Sequence, residues 1–185
     1  GMNAMLANTT GANNVAIGTN VFQANTTGSN NVAIGKNALD GNTTASDNIA
    51  VGYYALRANT TGTRNLAIGQ EALNASDTEN DNIAIGFTAM TTNTAGGARN
   101  VAIGNYAMDA HTSGDYNVAI GYGAMGANTS AGECVAIGDE ALSSLANTSN
   151  ASVAVGFQAL TANLTHSRVP VGHRALVGPP TGQKK

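Results

Sequence analysis

The sequence is poor in the residues from which catalytic centres and compact hydrophobic cores are usually built. Its 185 residues include no tryptophan, one cysteine and three prolines, and only 10% are charged and 4% aromatic. A globular domain of this length normally carries more charged and aromatic residues. The deficit favours a thin structure whose narrow core has no room for large side chains. An intrachain disulfide is excluded because Cys134 has no second cysteine to pair with.

Two kinds of partner are disfavoured by what the chain lacks. The formal net charge is −3 and the isoelectric point is about 5.4, and no basic stripe is present, so we expect no nucleic-acid partner. No apolar run approaches the ~18–20 residues of a membrane-spanning helix, and no signal peptide is visible. We therefore expect no direct membrane span.

What the chain has in abundance is one repeated tetrapeptide. Val-Ala-Ile-Gly, or a close variant, occurs ten times at intervals of 16 to 18 residues. Its glycines are Gly18, Gly35, Gly52, Gly69, Gly86, Gly104, Gly121, Gly138, Gly156 and Gly172. A period this regular predicts a stacked repeat architecture. Such a chain leaves little sequence for a single catalytic pocket, so we expect neither enzyme activity nor a cofactor.

Each tetrapeptide is predicted to form a short strand. Apolar and mostly β-branched residues stand three positions and one position before each glycine, as Val15 and Ile17 do before Gly18. Between them stands alanine in the first nine copies and Pro170 in the tenth. Alternation of this kind indicates a strand with one buried face. We expect the two large columns to form internal ladders when the repeats stack, with the alanine side also meeting a close neighbour.

The rest of each unit predicts a second short segment and a turn. A small and a large apolar residue follow the glycine, as in Ala38-Leu39, and an Asn-Thr-Thr-Gly turn or a relative of it comes next, as at Asn25 to Gly28. Asn and Gly tolerate positive φ, and Asn and Thr bond to nearby backbone. A unit of about 17 residues is too small to fold alone, but it can bury its apolar columns against identical neighbours.

The predicted fold is therefore an all-β solenoid of about ten 17-residue coils. An α-helical repeat is disfavoured because the units are too short for two helices and are rich in Gly, Asn and Thr. We expect a single repeat domain over residues 1–176 and a flexible tail over residues 177–185.

An asparagine column precedes the strands. Its members are Asn14, Asn31, Asn48, Asn65, Asn82, Asn100 and Asn117, and Cys134 takes the next position. Stacked asparagines can hydrogen-bond amide to amide along a solenoid, as in cross-β ladders. Alternatively, each caps a turn. Either role is structural, and the place of Cys134 in this column indicates a tolerated substitution rather than a nucleophile.

Residues with catalytic or metal-binding chemistry are scattered. His111, His166 and His173 fall in three different columns, and none has the spacing of a metal-ligand motif, so we expect no metal site. Asp47 and Asp81 share a column two coils apart, about 10 Å by strand spacing. That separation is near the range of an inverting glycosidase pair. Solvated turn acids are the favoured interpretation, and no catalytic residue is assigned.

The position after the glycine holds an aromatic residue in every second coil from the third to the ninth. We call this the aromatic row, and its members are Tyr53, Phe87, Tyr122 and Phe157. The row can form an exposed stripe that stacks on sugars or packs against a neighbouring chain. It can also be a packing motif at the corner of the coil. Packing is favoured over ligand binding.

The repeats resemble a known family. Residues 13–18 and 30–35 read Asn-Asn-Val-Ala-Ile-Gly and residues 81–86 read Asp-Asn-Ile-Ala-Ile-Gly, which are similar to the head repeats of trimeric autotransporter adhesins and to repeats of phage tail fibres. The resemblance covers residues 3–176, although the units here are longer. It implies a left-handed parallel β-roll, a side-by-side homotrimer and an extracellular place on a bacterial surface or virion tail. It also implies attachment to host cells, matrix proteins or glycans, without catalytic residues.

The apolar columns themselves favour association, because they outnumber the faces that one thin roll can bury. Three chains around an axis would cover the excess. The alternative function is ice binding, since threonine pairs such as Thr26-Thr27 and Thr43-Thr44 form an array. Adjacent threonines on a strand point to opposite faces, and the array is lost in later coils. A polysaccharide-processing solenoid is a remote third possibility.

Overall fold

The computed structural model describes residues 1–94, 96–143, 151–161 and 168–177. The predicted tail lies almost wholly outside this part of the chain, as does His166. The described residues form an all-β solenoid whose nine strands have three residues each. They are β1 (Val15–Ile17), β2 (Val32–Ile34), β3 (Ile49–Val51), β4 (Leu66–Ile68), β5 (Ile83–Ile85), β6 (Val101–Ile103), β7 (Val118–Ile120), β8 (Val135–Ile137) and β9 (Val153–Val155).

The strands form one parallel sheet in chain order, which confirms the predicted fold class. Equivalent positions of successive coils lie opposite each other, so Val15 pairs with Val32 and Ala16 with Ala33. Where a unit is one residue longer, the register is kept, as between Ile83 and Val101. The tenth copy contributes a single bridge between Val155 and Val171. Proline at 170 lacks the N–H that a full ladder requires.

The strands face the opposite way from the sequence prediction. The alanine column points inward, and Ala33 and Ala50 are fully buried. The large columns point outward, leaving Val15 43% and Ile17 57% exposed, so the expectation of two internal ladders was wrong. The reason is the narrow interior. The residue four positions after each of the first nine glycines, such as Leu39, is buried there and leaves room for only a methyl group on the strand.

Each coil turns sharply at its glycine. The ten glycines of the repeat have φ between 128° and 141°, a region that residues with a side chain rarely adopt. A Cβ built on Gly35 would lie 2.5 Å from the carbonyl oxygen of Gly52 in the next coil. The glycines therefore stack backbone on backbone, and this glycine corner fixes the spacing of the coils.

The asparagine column bridges coils mainly through the backbone. The Oδ1 atom of each asparagine accepts the backbone N–H of the equivalent residue in the next coil at 2.9–3.0 Å, from Asn14 through Asn117. The Nδ2 atom donates to a carbonyl oxygen in the turn leading to that coil, as Asn48 does to Gly62 at 2.8 Å. Direct amide-to-amide contacts occur at Asn31–Asn14 and Asn117–Asn100. The column thus ties each strand to the next and to its turn.

Candidate interaction surface

The exposed apolar surface is concentrated on one side of the solenoid. Among the described residues from 15 to 171, every exposed large apolar or aromatic side chain lies on the outward side of the strands or in the rows at their two ends. These side chains are Val15, Ile17, Ile49, Tyr53, Ile68, Phe87, Tyr106, Tyr116, Ile120, Tyr122, Ile137, Phe157, Val169 and Val171. Contiguous apolar patches on soluble monomers usually mark interaction sites.

We call the outward residues of β1 to β9 the strand face. Each strand contributes two large apolar residues, and in-register pairing stacks them into two columns along the rod. Successive members are about 4.8 Å apart, which is the spacing of paired strands. The columns are continuous because no coil places a charged residue in them. The strand face is therefore an unbroken apolar stripe parallel to the axis.

The aromatic row lies along one edge of the strand face, just after the glycine corner. Tyr53, Phe87, Tyr122 and Phe157 are all exposed, between 37% and 53%. Tyr106 fills the coil between Phe87 and Tyr122, with ring centroids 5.4 and 5.5 Å from theirs in edge-to-face geometry. Sequence analysis missed Tyr106 because it stands two positions after its glycine instead of one. The row is thus continuous over three coils.

Further contacts order both ends of the aromatic row. The rings of Tyr53 and Tyr54 have centroids 4.0 Å apart. The ammonium group of Lys36 lies 5.9 Å from the centroid of Tyr53. The ring of Phe157 stacks on His173 of the next coil at 5.2 Å. Each ring is supported along the axis and keeps a face or edge directed to solvent.

A row of polar and charged residues lies along the other edge of the strand face. We call it the charged row; it consists of the residues five positions before each of the first nine glycines, all with φ between 57° and 63°. They are Asn13, Asn30, Asp47, Arg64, Asp81, Arg99, Tyr116, Glu133 and Ala151. Charges of opposite sign alternate from Asp47 to Arg99. The regular left-handed backbone sets these side chains on the corner, beside the strand face.

The charged row is linked from coil to coil by side-chain contacts. Asn30 donates to Asp47 at 3.1 Å. Arg64 donates to both carboxylate oxygens of Asp81, at 2.6 and 3.0 Å. Hydrogen bonding to Arg64 holds the pKa of Asp81 below its usual value. Arg99 donates to the Tyr116 hydroxyl at 2.6 Å, and its guanidinium lies 5.2 Å from the centroid of that ring.

The candidate acid pair does not converge. Arg64 occupies the coil between Asp47 and Asp81 and binds the latter, so the two carboxylates are separated by a cation. In the ranges that the structure describes, no group of three or more His, Cys, Asp or Glu side chains is placed to hold a metal ion. His111 is buried and His173 exposed, on different parts of the coil. Burial raises the pKa of the Cys134 thiol, which disfavours the reactive thiolate.

A second asparagine ladder runs through the turns, and sequence analysis interpreted it only as turn chemistry. Its Nδ2 atoms donate to the Oδ1 atoms of the preceding coil at 2.7, 3.1 and 3.0 Å along Asn8, Asn25, Asn42 and Asn59. We call it the turn ladder. The asparagine that recurs in the Asn-Thr-Thr turn is the sequence feature from which the turn ladder could have been predicted. The first threonine also bonds along the axis, since Thr26 donates to the Thr43 carbonyl at 3.0 Å. In the threonine pairs from Thr26 to Thr61, only the second threonine is left exposed for a surface array.

The turn ladder changes in the later coils. Ser76 takes the asparagine position, and the buried carboxylate of Glu79 accepts from the Ser76 hydroxyl and from the backbone N–H groups of Asp77 and Thr78 at 2.7–3.0 Å. Its other oxygen accepts from the N–H of Gly96 at 3.2 Å. His111 replaces asparagine two coils later and donates from Nε2 to the Gly114 carbonyl at 3.1 Å. These groups have structural roles.

The described residues include no helix of the length and apolarity that a membrane crossing requires. The strand face, with the aromatic row on one edge and the charged row on the other, is the candidate interaction surface of the described residues. No family model, no curated protein and no solved structure matches the chain.

Proposed function

We propose that the chain is a non-enzymatic structural and adhesive segment of an extracellular fibre on a bacterial surface or a phage tail. In this proposal it associates side by side as a homotrimer and attaches to host cells, matrix proteins or glycans. The observation that carries the proposal is the strand face, an apolar stripe that runs the length of the described strands and is not covered by the chain itself.

The strand face supports association energetically. Nine strands contribute two outward residues each, which gives eighteen large apolar side chains per chain. Burying the exposed part of one such side chain contributes on the order of 1 kcal/mol. The summed contribution of the eighteen side chains exceeds the association cost of about 4–15 kcal/mol. Covering this face is therefore the main driving force for association in this proposal.

The form of the assembly rests on two further arguments. The apolar columns run parallel to the rod axis, so chains that cover them lie side by side rather than end to end. The number three comes from the resemblance of residues 13–18, 30–35 and 81–86 to the head repeats of trimeric adhesins. Three chains around an axis also leave the turn side of each coil directed outward, where attachment to a surface can occur.

The first test is the mass in solution, by light scattering coupled to size exclusion. We expect three chains of 18.5 kDa each. The double variant Ile68→Lys/Ile120→Lys places two charges on the strand face and should shift the mass towards one chain with an unchanged circular dichroism spectrum. The matched control Thr44→Lys/Thr61→Lys changes two exposed turn residues and should stay trimeric. A monomeric wild-type chain would contradict the assembly.

Adhesion is tested separately on arrays of glycans and matrix proteins. The wild-type assembly should bind at least one class of ligand. The monomeric double variant should bind it far more weakly, because three chains engage a surface together and one does not. An assembled trimer that binds none of the probes would leave a spacer role and remove the adhesive part of the proposal.

A further inference from the structure

The seventh coil interrupts two columns of partly exposed side chains that follow the aromatic row in each coil. These columns hold the residues two and five positions after the glycine, which contact each other in the third coil, where the guanidinium of Arg57 lies 4.7 Å from the centroid of Tyr54. In the seventh coil both positions are glycine, at Gly123 and Gly126. One pair of side chains is therefore missing from an otherwise continuous surface.

The two neighbouring coils provide walls for the gap. Tyr106 and Asp109 hold the equivalent positions in the sixth coil, and Glu140 follows in the eighth, with its Cγ atom 3.7 Å from a Cβ built on Gly123. We call the space between Tyr106, Asp109, Gly123, Gly126 and Glu140 the glycine notch. Its walls belong to coils about 9.6 Å apart. An extended methylene chain between them needs about 4 Å on each side, so the notch is as wide as such a chain requires.

Oxygen atoms surround the part of the notch beside Gly126. The three atoms nearest to a Cβ built on this residue are the Gly123 carbonyl oxygen at 3.0 Å, Oδ1 of Asp109 at 3.2 Å and the Tyr106 carbonyl oxygen at 3.4 Å. Each of the two carbonyls accepts one backbone N–H, which leaves a second lone pair. Acceptors of this kind favour a ligand that donates hydrogen bonds.

The charge around the notch is negative. Burial raises the pKa of the Asp109 carboxyl, and backbone N–H groups, including that of Ala110, oppose this only in part. Between Arg99 and Arg168 the sequence has no lysine or arginine. The same stretch has five acidic residues, Asp109, Asp115, Glu133, Asp139 and Glu140. A cation is therefore attracted to this part of the rod, and one bound beside Asp109 would replace the solvation that burial removes.

We propose that the glycine notch binds the side chain of a lysine on a partner protein. The three N–H donors of an ammonium group match the three oxygens beside Gly126. Its compact charge suits acceptors that surround one point, whereas the planar fork of arginine suits acceptors that lie side by side. This inference rests on the adhesive part of the proposed function and names the chemistry that a protein ligand must carry.

The walls of the notch also suit the stem of a lysine. Its methylene groups lie between Tyr106 and the aliphatic part of Glu140, so the apolar stem is covered while the charge reaches Asp109. Tyr122 stands next to Gly123 in the chain, is 53% exposed and offers a ring to which an ammonium group is attracted. Both the apolar and the charged part of the side chain therefore have partners.

Binding to an immobilised peptide tests the notch. The probe is a peptide of alternating lysine and glycine with blocked termini, and the full chain is the analyte in biolayer interferometry. The matched probe carries Nε-acetyl groups on every lysine, which removes the charge and keeps the stem. We expect the acetylated peptide to bind at least about tenfold more weakly. Equal binding of the two peptides would overturn the inference.

Two variants and a control assign the binding to the notch. Asp109→Asn removes the charge, and Gly123→Asn fills the notch with the residue that Asn37 places in the same column at φ 58°. Each should weaken binding of the lysine peptide by at least about tenfold. Asp40→Asn makes the same charge change in the column of Asp109, in a coil that keeps both side chains, and should change the affinity less than about twofold. Equal losses in Asp40→Asn and Asp109→Asn would show general charge attraction and refute the notch.

Carbodiimide coupling locates the contact directly. The reagent joins a carboxylate to an amine that touches it, so mass spectrometry of the digested complex should find the peptide lysine on Asp109. Products confined to acidic residues outside the notch would overturn the assignment.

Light scattering on the same samples separates this inference from the proposed function. A trimer that binds glycans but not the lysine peptide would overturn the notch and leave the proposed function in place. A monomer that binds the lysine peptide through Asp109 would remove the trimer and leave the notch. Tighter binding of a glucosamine oligomer than of the lysine peptide would overturn the lysine assignment in favour of an amino sugar.

Discussion

The glycine corner and the Asn-Thr turn are the two bends of every coil, and they tolerate change very differently. All ten coils keep the glycine, whereas the turn ladder holds asparagine, serine or histidine. At the corner, an added Cβ would lie 2.2–2.7 Å from a carbonyl oxygen of the next coil, for every glycine from 18 to 156. In the turn, side-chain contacts such as the turn ladder join the coils in addition to backbone hydrogen bonds such as that from the Thr26 N–H to the Thr43 carbonyl. A side-chain contact can be replaced by another, but a backbone contact has no substitute.

The largest effect is expected from a methyl group at the corner. Gly86→Ala introduces a Cβ 2.4 Å from the Gly104 oxygen at φ +141°, so the coils must separate locally. We expect the free energy of unfolding to fall by about 3 kcal/mol or more, measured by urea denaturation. Gly123→Asn is the matched control, because this glycine has φ +59° and its nearest neighbour to an added Cβ is 3.7 Å away. Equal losses of unfolding free energy in Gly86→Ala and Gly123→Asn would show that the glycine corner is no more sensitive to an added side chain than other glycines.

The turn should show compensation between side chains. Glu79→Gly leaves the N–H groups of Asp77 and Thr78 without their acceptor, and we expect a loss of about 2 kcal/mol. Adding Ser76→Asn restores the residue found in the regular coils and supplies a donor to Asn59, whose buried Oδ1 has no partner. The double variant should therefore regain most of the loss. A double-mutant cycle measures the coupling, and additive losses would argue against compensation.

A smaller effect, confined to acid pH, is expected at His111. Burial lowers its pKa below the ordinary 6.5, so the unfolded chain binds the proton more readily than the folded chain. Stability from this group is complete above pH 6.5 and decreases as the pH falls through the lowered value. His111→Asn should remove this part of the pH dependence and give the buried Oδ1 of Asn93 a donor. His173→Asn, at an exposed position, is the control in urea titrations from pH 7 to about 5.

The smallest effect is a gain in stability. Thr88 stands two positions after its glycine with φ 52°, a conformation unfavourable for a β-branched residue. Asn37 occupies the same place in another coil with φ 58°. Thr88→Asn should therefore raise the free energy of unfolding by about 0.5 kcal/mol, because asparagine tolerates left-handed backbone. The reverse change, Asn37→Thr, should lower the thermal midpoint, and a gain there would refute the strain argument.

The period of the sequence was sufficient to predict the strands, their parallel order and the bend at the glycine, because each depends on spacing alone. Spacing also shows which residues share a face of a strand, but not which face is inward. That choice depends on what else fills the coil, and Leu39 and its equivalents left space only for alanine. Tyr106 was missed because it stands two positions after its glycine, in the column next to the other aromatic residues. The turn ladder was missed because each turn asparagine was interpreted within its own turn and not with its equivalents in the neighbouring coils. The trimer and its adhesive role stay predictions.

The regular offset between hydrogen-bonded partners also bears on how the rod forms. Backbone and side-chain bonds between coils join residues about 17 positions apart from one end of the sheet to the other. No strand of the sheet pairs with a segment that is distant in the sequence, since each strand pairs only with its neighbours in the chain. Folding can therefore advance one coil at a time, with each finished coil serving as the template for the next. A chain that emerges progressively during synthesis can assemble its rod as it appears.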